Sequence, residues 1–121
     1  MTSSNIPRRG EVWIVDLDPT RGAEIQKQRT AVVMSTDSLA KLPIHIIVSI
    51  TGWKSSFASS IWFYKIVPMK KNGLIKESSA DSLQLRSVSR ERFIKKIGQL
   101  DAEQLEEIAY RVALCIGLRP L

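Results

Sequence analysis

Arg9-Gly10-Glu11-Val12-Trp13-Ile14-Val15-Asp16-Leu17-Asp18-Pro19-Thr20-Arg21-Gly22-Ala23-Glu24, followed by Arg29 and Ala31-Val32-Val33-Met34-Ser35-Thr36-Asp37, reads as a strand, a charged loop and a second strand. Val12 to Leu17 is rich in β-branched and aromatic residues, Asp18-Pro19-Thr20 is turn chemistry, and Ala31 to Met34 is a short apolar run. Between the two lie Arg21, Glu24, Lys27, Gln28 and Arg29. So much fixed charge is costly to bury, which predicts a surface loop tethered at both ends by buried strands. Loops held in this way commonly carry function.

Working outward, the same signals predict strands over Glu11 to Leu17, Ala31 to Ser35, Ile44 to Thr51, Ile61 to Val67, Asp81 to Arg86 and Phe93 to Gln99. Pro43, Gly52, Pro68 and Asn72-Gly73 punctuate them. Ile44 to Ile50 is apolar on both sides apart from His45 and Ser49, which suits a central strand, and Ser87 to Arg92 suits a helical turn. The last element is a helix. Asp101 is a suitable N-cap with Gln104 at the third helical position, Leu100 and Leu105 can form a hydrophobic staple, and Gly117 can end the helix. Leu105, Ile108, Val112, Cys115 and Ile116 recur at steps of three and four as one apolar stripe. Short strands followed by one helix predict a mainly β domain, a small barrel with a C-terminal helix.

The 121 residues suit a single domain over 1–121, with residues 1–8 as a flexible arm and 101–117 as the terminal helix. A lone cysteine, Cys115, leaves no intrachain disulfide and no Cys-based zinc site, and fits the cytosol. No apolar run approaches the ~20 residues of a membrane span, and Met1 to Asn5 lacks the apolar centre of a signal peptide, so a cytoplasmic protein without a membrane partner is expected. The formal charge of +6 is uneven. Residues 1–100 carry a net +8, and residues 101–121 a net −2. A basic body attracts polyanions, of which nucleic acid is the usual one, although a high pI alone also describes many proteins with no such role. Aromatic residues are few, and Trp53, Phe57 and Trp62 are the main candidates for stacking on bases.

The opening segment resembles the start of the MazF/PemK toxins, which carry a Gly-acid-x-Trp strand, an Asp-Pro-Thr-x-Gly-x-Glu turn and an Arg just before the second strand. Further matches lie at Val48-Ser49-Ile50-Thr51, at Gln84-Leu85-Arg86-Ser87-Val88 and at Lys96-Ile97-Gly98-Gln99-Leu100, so that the resemblance spans roughly residues 9 to 118. It implies an SH3-like barrel of the CcdB/PemK/MazF type and a homodimer with RNA crossing the interface between symmetric loops. It also implies a cognate antitoxin whose acidic, partly disordered tail blocks the basic groove. The implied activity is a metal-independent endoribonuclease toxin, an mRNA interferase that cuts single-stranded RNA to 2′,3′-cyclic phosphate and 5′-hydroxyl ends, causing growth arrest.

The residues are compatible with that chemistry. The chain has no Cys/His metal cluster, no Gly-rich phosphate loop before a helix and no Gly-x-Ser-x-Gly elbow, and no cofactor is expected. Cleavage of RNA through its own 2′-hydroxyl needs none of these, because the substrate brings the nucleophile. It needs help in removing the 2′-proton, in stabilising charge on phosphorus and in protonating the leaving 5′-oxygen, work that an Arg with a hydroxyl or a carboxylate can do. Arg29 has a guanidinium fork that matches two phosphoryl oxygens, and it aligns with the catalytic Arg of the family. Thr51, at the end of the expected central strand, aligns with a catalytic Thr, and Glu24 with a loop Glu that positions or activates substrate. Arg21, Lys27 and Gln28 in the first loop, with Asp81, Gln84 and Arg86, are the expected substrate-binding residues.

Each residue also has an ordinary reading: a solvated loop cation for Arg29, Arg21 and Lys27, a common strand-end hydroxyl for Thr51, outward strand positions for Gln84 and Arg86. His45, the only histidine, titrates near neutrality but lies inside an apolar strand, where a structural or outward-facing role is expected. Three positions depart from the family pattern. Ile25 replaces a Gln, Thr30 replaces a Pro, and Leu83 stands where many members have an acid; Asp81, two residues earlier, lies on the same face of a regular strand and can substitute. Two other functions fit the same fold, a non-catalytic CcdB-like toxin that binds DNA gyrase and a small SH3-like RNA-binding module. A gyrase binder has no reason to pair Arg29 with Thr51, and a plain module leaves the charged first loop unexplained.

Overall fold

Alternating branched side chains put the run after Gly10 into an extended conformation, and the computed structural model, which describes residues 6–17 and 28–119, shows its neighbours. The strands are β1 (Glu11–Asp16), β2 (Gln28–Val33), β3 (Ile44–Gly52), β4 (Phe63–Ile66), β5 (Ser78–Ser89) and β6 (Phe93–Gln99). They form one antiparallel sheet in the order β4-β5-β3-β2-β1-β6, and the helix α1 (Ala102–Cys115) follows. β3 is interior, as its apolar character on both sides requires.

Alternation gives the sheet two apolar faces. Val12, Val32, Val48 and Ile50 point to one, where Leu105 and Ile108 of α1 cover them; Trp13, Val15, Ala31, Val33, Ile47 and Val88 form a separate cluster on the other. α1 starts at the capping box expected from sequence. The Asp101 carboxylate accepts from the Gln104 N–H at 2.9 Å, and the Gln104 side chain accepts from the Asp101 N–H at 3.1 Å. Along the predicted stripe Leu105 and Ile108 are buried, Val112 and Cys115 are half-buried and Ile116 is exposed, so the helix docks mainly through its first half.

Several boundaries differ from those expected. β2 begins at Gln28 and not at Ala31, because Gln28, Arg29 and Thr30 pair with Asp16, Val15 and Ile14; ladder hydrogen bonds to β1 override a loop-like composition. Arg29 is therefore a strand residue. β5 runs well beyond Asp81 to Arg86: Ser78, Ser79 and Ala80 are weak strand formers, yet they are buried and paired with β3 on one side and β4 on the other. Of the helical turn expected over Ser87 to Arg92, only Arg90–Arg92 forms one, and Ile61 and Trp62 precede β4. Of the arm expected over residues 1–8, the described part is held in place. Pro7 is fully buried and the Arg8 N–H donates to the Glu11 carboxylate at 2.9 Å, whereas residues 1–5 lie outside the described residues.

The two outer strands of the sheet are brought together by the segment that leaves β4. The Gln99 N–H donates to the Lys71 carbonyl at 3.0 Å, and backbone meets backbone beside it. A Cβ on Gly98 would lie 2.2 Å from the Asn72 carbonyl carbon, and one on Gly73, at φ +73°, would lie 2.0 Å from the Ile97 oxygen. Buried Asn72 holds this segment in shape: its Oδ1 accepts from the Met69 and Leu74 N–H groups and its Nδ2 donates to the Val67 carbonyl, each at 3.0 Å. This closure turns the sheet into the small barrel. Gly98→Ala is expected to destabilise the fold by about 1–3 kcal/mol through overpacking against Asn72, measured as a lower urea midpoint with an unchanged slope.

Candidate functional site

Pairing register decides which side chains meet. Phe63 pairs with Asp81, Asp81 with Ser49, and Ser49 with Ala31; in the next row Lys65 pairs with Ser79 and Ser79 with Thr51, while Arg29 pairs with Val15. Paired residues project from the same face, so Thr51, Ser49, Asp81 and Arg29 share the face of Trp13 and Val15, opposite the helix. They line one open cavity of about 480 Å³ together with Leu17, Gln84 and Arg86. Arg29, Thr51, Asp81, Gln84 and Arg86, far apart in the sequence, thus converge. Gln28 lies on a neighbouring cavity of about 440 Å³ that shares Arg29 and Thr51 with the first and includes Thr30 and Lys76. Arg21, Glu24 and Lys27, with Ile25, lie outside the described residues.

A bulge brings Gln84 to the cavity. Asp81 and Gln84 are three residues apart, and in a regular strand they would face opposite sides. The register shifts instead: Ser49 pairs with Asp81 but the adjacent Val48 pairs with Leu85, leaving residues 82–84 to arch out of the ladder. Asp81 Oδ1 accepts from the Leu83 N–H at 3.1 Å, and the Ser82 N–H donates to the Trp62 carbonyl at 2.8 Å, which holds the arch. The regular strand assumed for Asp81 and Leu83 is therefore absent. Leu83 is exposed and does not line the cavity, whereas Asp81 does.

The cavity is electropositive. Arg29 and Arg86 are exposed and, among the described residues, neither guanidinium has a hydrogen-bond or ion-pair partner, against the single carboxylate of Asp81. Two free forks beside the hydroxyls of Ser49 and Thr51 can take phosphoryl oxygens in paired hydrogen bonds. Arg9, by contrast, donates to the Met34 carbonyl and lines neither cavity. Among the described residues no group of three His, Cys, Asp or Glu side chains is placed to hold a metal ion, and no helix is long and apolar enough to cross a membrane.

Two features of the surroundings escaped the sequence. Ser79, the cross-strand neighbour of Thr51, is fully buried with a hydroxyl that has no partner among the described residues; the small run Ser78-Ser79-Ala80 was its only signal. Arg90 is a clamp, donating to the Ala40 carbonyl at 2.7 Å, to the Leu42 carbonyl at 2.6 Å and to His45 Nε2 at 3.3 Å. His45 itself is buried at 2% exposure, edge-on to Phe93 at 5.4 Å, and lines neither cavity. It is a structural histidine, as its apolar strand suggested.

The sequence profile of the PemK-like, MazF-like toxins of type II toxin-antitoxin systems matches residues 8–116. The chain belongs to this family. It is 32% identical over 114 residues to the endoribonuclease MazF9 of Mycobacterium tuberculosis, covering 92% of this chain and 97% of that one. Its fold is similar to that of the M. tuberculosis toxin MazF-mt6, with a TM-score of 0.73 at 17% identity over 91% of this chain and 99% of that one. It is likewise similar to a mycobacterial endoribonuclease solved in complex with its cognate antitoxin, with a TM-score of 0.74 at 14% identity over 95% and 99% of the two chains. The SH3-like barrel with a C-terminal helix is thus the PemK/MazF toxin fold.

Burial, and then the Arg90 charge, hold the His45 pKa below its usual 6.5. A histidine kept neutral by folding adds stability above pH 6.5 that is lost as the pH falls through the lowered folded value. Urea midpoints of the wild type are expected to fall as the pH drops below 6.5, and His45→Gln, which keeps an acceptor for Arg90, to flatten that slope.

Proposed function

We propose that this PemK/MazF family endoribonuclease cuts single-stranded RNA, messenger RNA in the first instance, at the cavity lined by Arg29 and Thr51. The observation that carries the reading is convergence. Five residues expected from three separate stretches of sequence line one electropositive cavity, with two guanidiniums unengaged among the described residues. In the reaction, the substrate's 2′-oxygen attacks the adjacent phosphorus, the bond from phosphorus to the 5′-oxygen breaks, and the products are a 2′,3′-cyclic phosphate and a 5′-hydroxyl. The 2′-proton passes to a base, and the departing 5′-oxygen takes a proton from water with the help of Arg29, which keeps the step balanced. Arg29 neutralises charge developing on the phosphoryl oxygens and favours departure of the 5′-oxygen, and Thr51 donates to a phosphoryl oxygen. Asp81 lines the cavity and is a candidate base, its Oδ1 already accepting from Leu83; Glu24 is the other. Gln84 and Arg86 line the approach where bases or flanking phosphates pass, and Gln28 lines the neighbouring cavity; Arg21 and Lys27, outside the described residues, add charge for the RNA backbone. No step calls on a metal or a cofactor.

The partner is an antitoxin with an acidic, partly disordered tail. In support, one structural relative is a complex with its cognate antitoxin, and another is a MazE-MazF structure from Deinococcus radiodurans. An acidic segment lying over Arg29 and Arg86 excludes RNA by charge and volume. The toxin acts as a homodimer in the cytoplasm. Gyrase binding is disfavoured, since the shared cavity around Arg29 and Thr51 has no use in it.

The test is purified chain with long mixed-sequence RNA in excess EDTA, new ends being mapped by primer extension. Discrete cuts with 5′-hydroxyl ends are expected; intact RNA from folded protein would sink the reading. Arg29→Ala is expected to lower the rate by at least about 10²–10³-fold, and Thr51→Val to a lesser extent, with folding intact by circular dichroism.

A further inference from the structure

Thr51 is followed by Gly52 and then by Trp53, and from there to Phe63 the chain gathers four aromatic rings at the β4 side of the sheet. Phe57 stacks on Phe63 with centroids 3.7 Å apart and planes 6° from parallel. Trp53 meets Phe57 edge-on at 5.9 Å, and Trp62 lies tilted against Phe63 at 5.9 Å. None of the four is fully buried; each is half-buried, leaving part of its ring surface open. Neither apolar core cluster includes them. The cluster follows directly on Thr51 and Gly52, which line the cavities, and its open ring surface suits a ligand with flat faces of its own.

The register aligns this cluster with the site. Phe63 pairs with Asp81, and Lys65 pairs with Ser79, the partner of Thr51. With neighbouring strands about 4.8 Å apart, Lys65 is two strands, or about 10 Å, from Thr51 on the same face. A short run of nucleotides spans that gap. Cations accompany the rings: Lys54 is exposed beside Trp53, and Lys65 Nζ lies 5.4 Å from the Trp53 ring centroid and 3.3 Å from Glu77. Aromatic faces combined with cations along a groove are the chemistry of single-strand binding, stacking for the bases and charge for the backbone.

We propose that Trp53, Phe57, Phe63 and Trp62 form a stacking platform for bases that flank the cut, so that this toxin grips RNA beyond its catalytic cavity. The proposal rests on the RNA-cleaving reading above. It implies that substrate length on the platform side governs KM, independently of the bases read at the cut.

Two oligonucleotides carrying a mapped cleavage site test it, one short and one extended on both sides, cut by the wild type, Trp53→Leu and Trp53→Phe. Leucine keeps apolar bulk and removes the ring; phenylalanine keeps a ring. The wild type is expected to favour the long substrate in kcat/KM through a lower KM. Trp53→Leu should shrink that long-to-short ratio at least about fivefold while Trp53→Phe preserves it. The long oligonucleotide, made uncleavable by a 2′-deoxy nucleotide at the cut, should quench tryptophan fluorescence in the wild type and less in Trp53→Leu. A wild type indifferent to length, or a ratio unchanged in Trp53→Leu, overturns the platform. So does a loss confined to binding of an acidic antitoxin peptide, which would assign the rings to the partner. If Trp53→Leu does not fold, Phe57→Leu takes its place with the same readings. A wild type that cuts neither oligonucleotide overturns the RNA-cleaving reading itself.

Discussion

Backbone packed against backbone, where Gly98 meets Asn72, is the contact on which the barrel depends. No side chain fits there, so β6 and the segment leaving β4 approach until main-chain groups touch, and the Gln99 N–H finds the Lys71 carbonyl. Asn72 supports the approach with hydrogen bonds: three partly buried main-chain groups of a tight loop find their partners in one amide. With the sheet curled by this closure, one apolar face turns inward against α1. The other stays open along the rows that carry Arg29, Thr51 and Asp81.

The open face shows how a sheet of ordinary alternation builds a polar, charged cavity. Apolar packing occupies its Trp13 side, where Val15, Val33 and Ile47 support the strands. Toward β5 the pattern gives way to hydroxyls and charge, and one irregularity completes it. A regular β5 could present Asp81 or Gln84, not both; the arch at residues 82–84 presents both. The irregularity is held by local hydrogen bonds from Leu83 to Asp81 and from Ser82 to Trp62, so the geometry at the cavity is set by rigid elements.

Much of this was legible from residues alone. Branched runs marked β1 and β3, the Asp101 to Gln104 box marked the start of α1, and the resemblance to the family pointed to Arg29, Thr51, Gln84 and Arg86, which meet at the cavity with Asp81, itself chosen on the assumption of a regular strand. What the sequence hid was decided by partners far along the chain. Gln28 and Arg29 look like loop, and only their pairing with β1 makes them strand; Ser78 to Ala80 look unstructured, and only β3 and β4 hold them extended. Asn72-Gly73 reads as a turn, and nothing local reveals that Gly98 waits opposite it. The arch in β5 is similarly silent, because a three-residue insertion in a ladder leaves no periodic signature.

The placement of α1 also gives the molecule a polarity. The helix carries Glu103, Glu106 and Glu107 and lies against the face of the sheet opposite the cavity, while Arg29 and Arg86 stand at the cavity and the rest of the chain is basic. Such a body is an electric dipole. In the field of a polyanion it experiences a torque before any contact forms, turning the helix outward and the cavity inward. The acidic face of the helix thus biases the orientation in which such a body approaches any polyanion, ahead of contact.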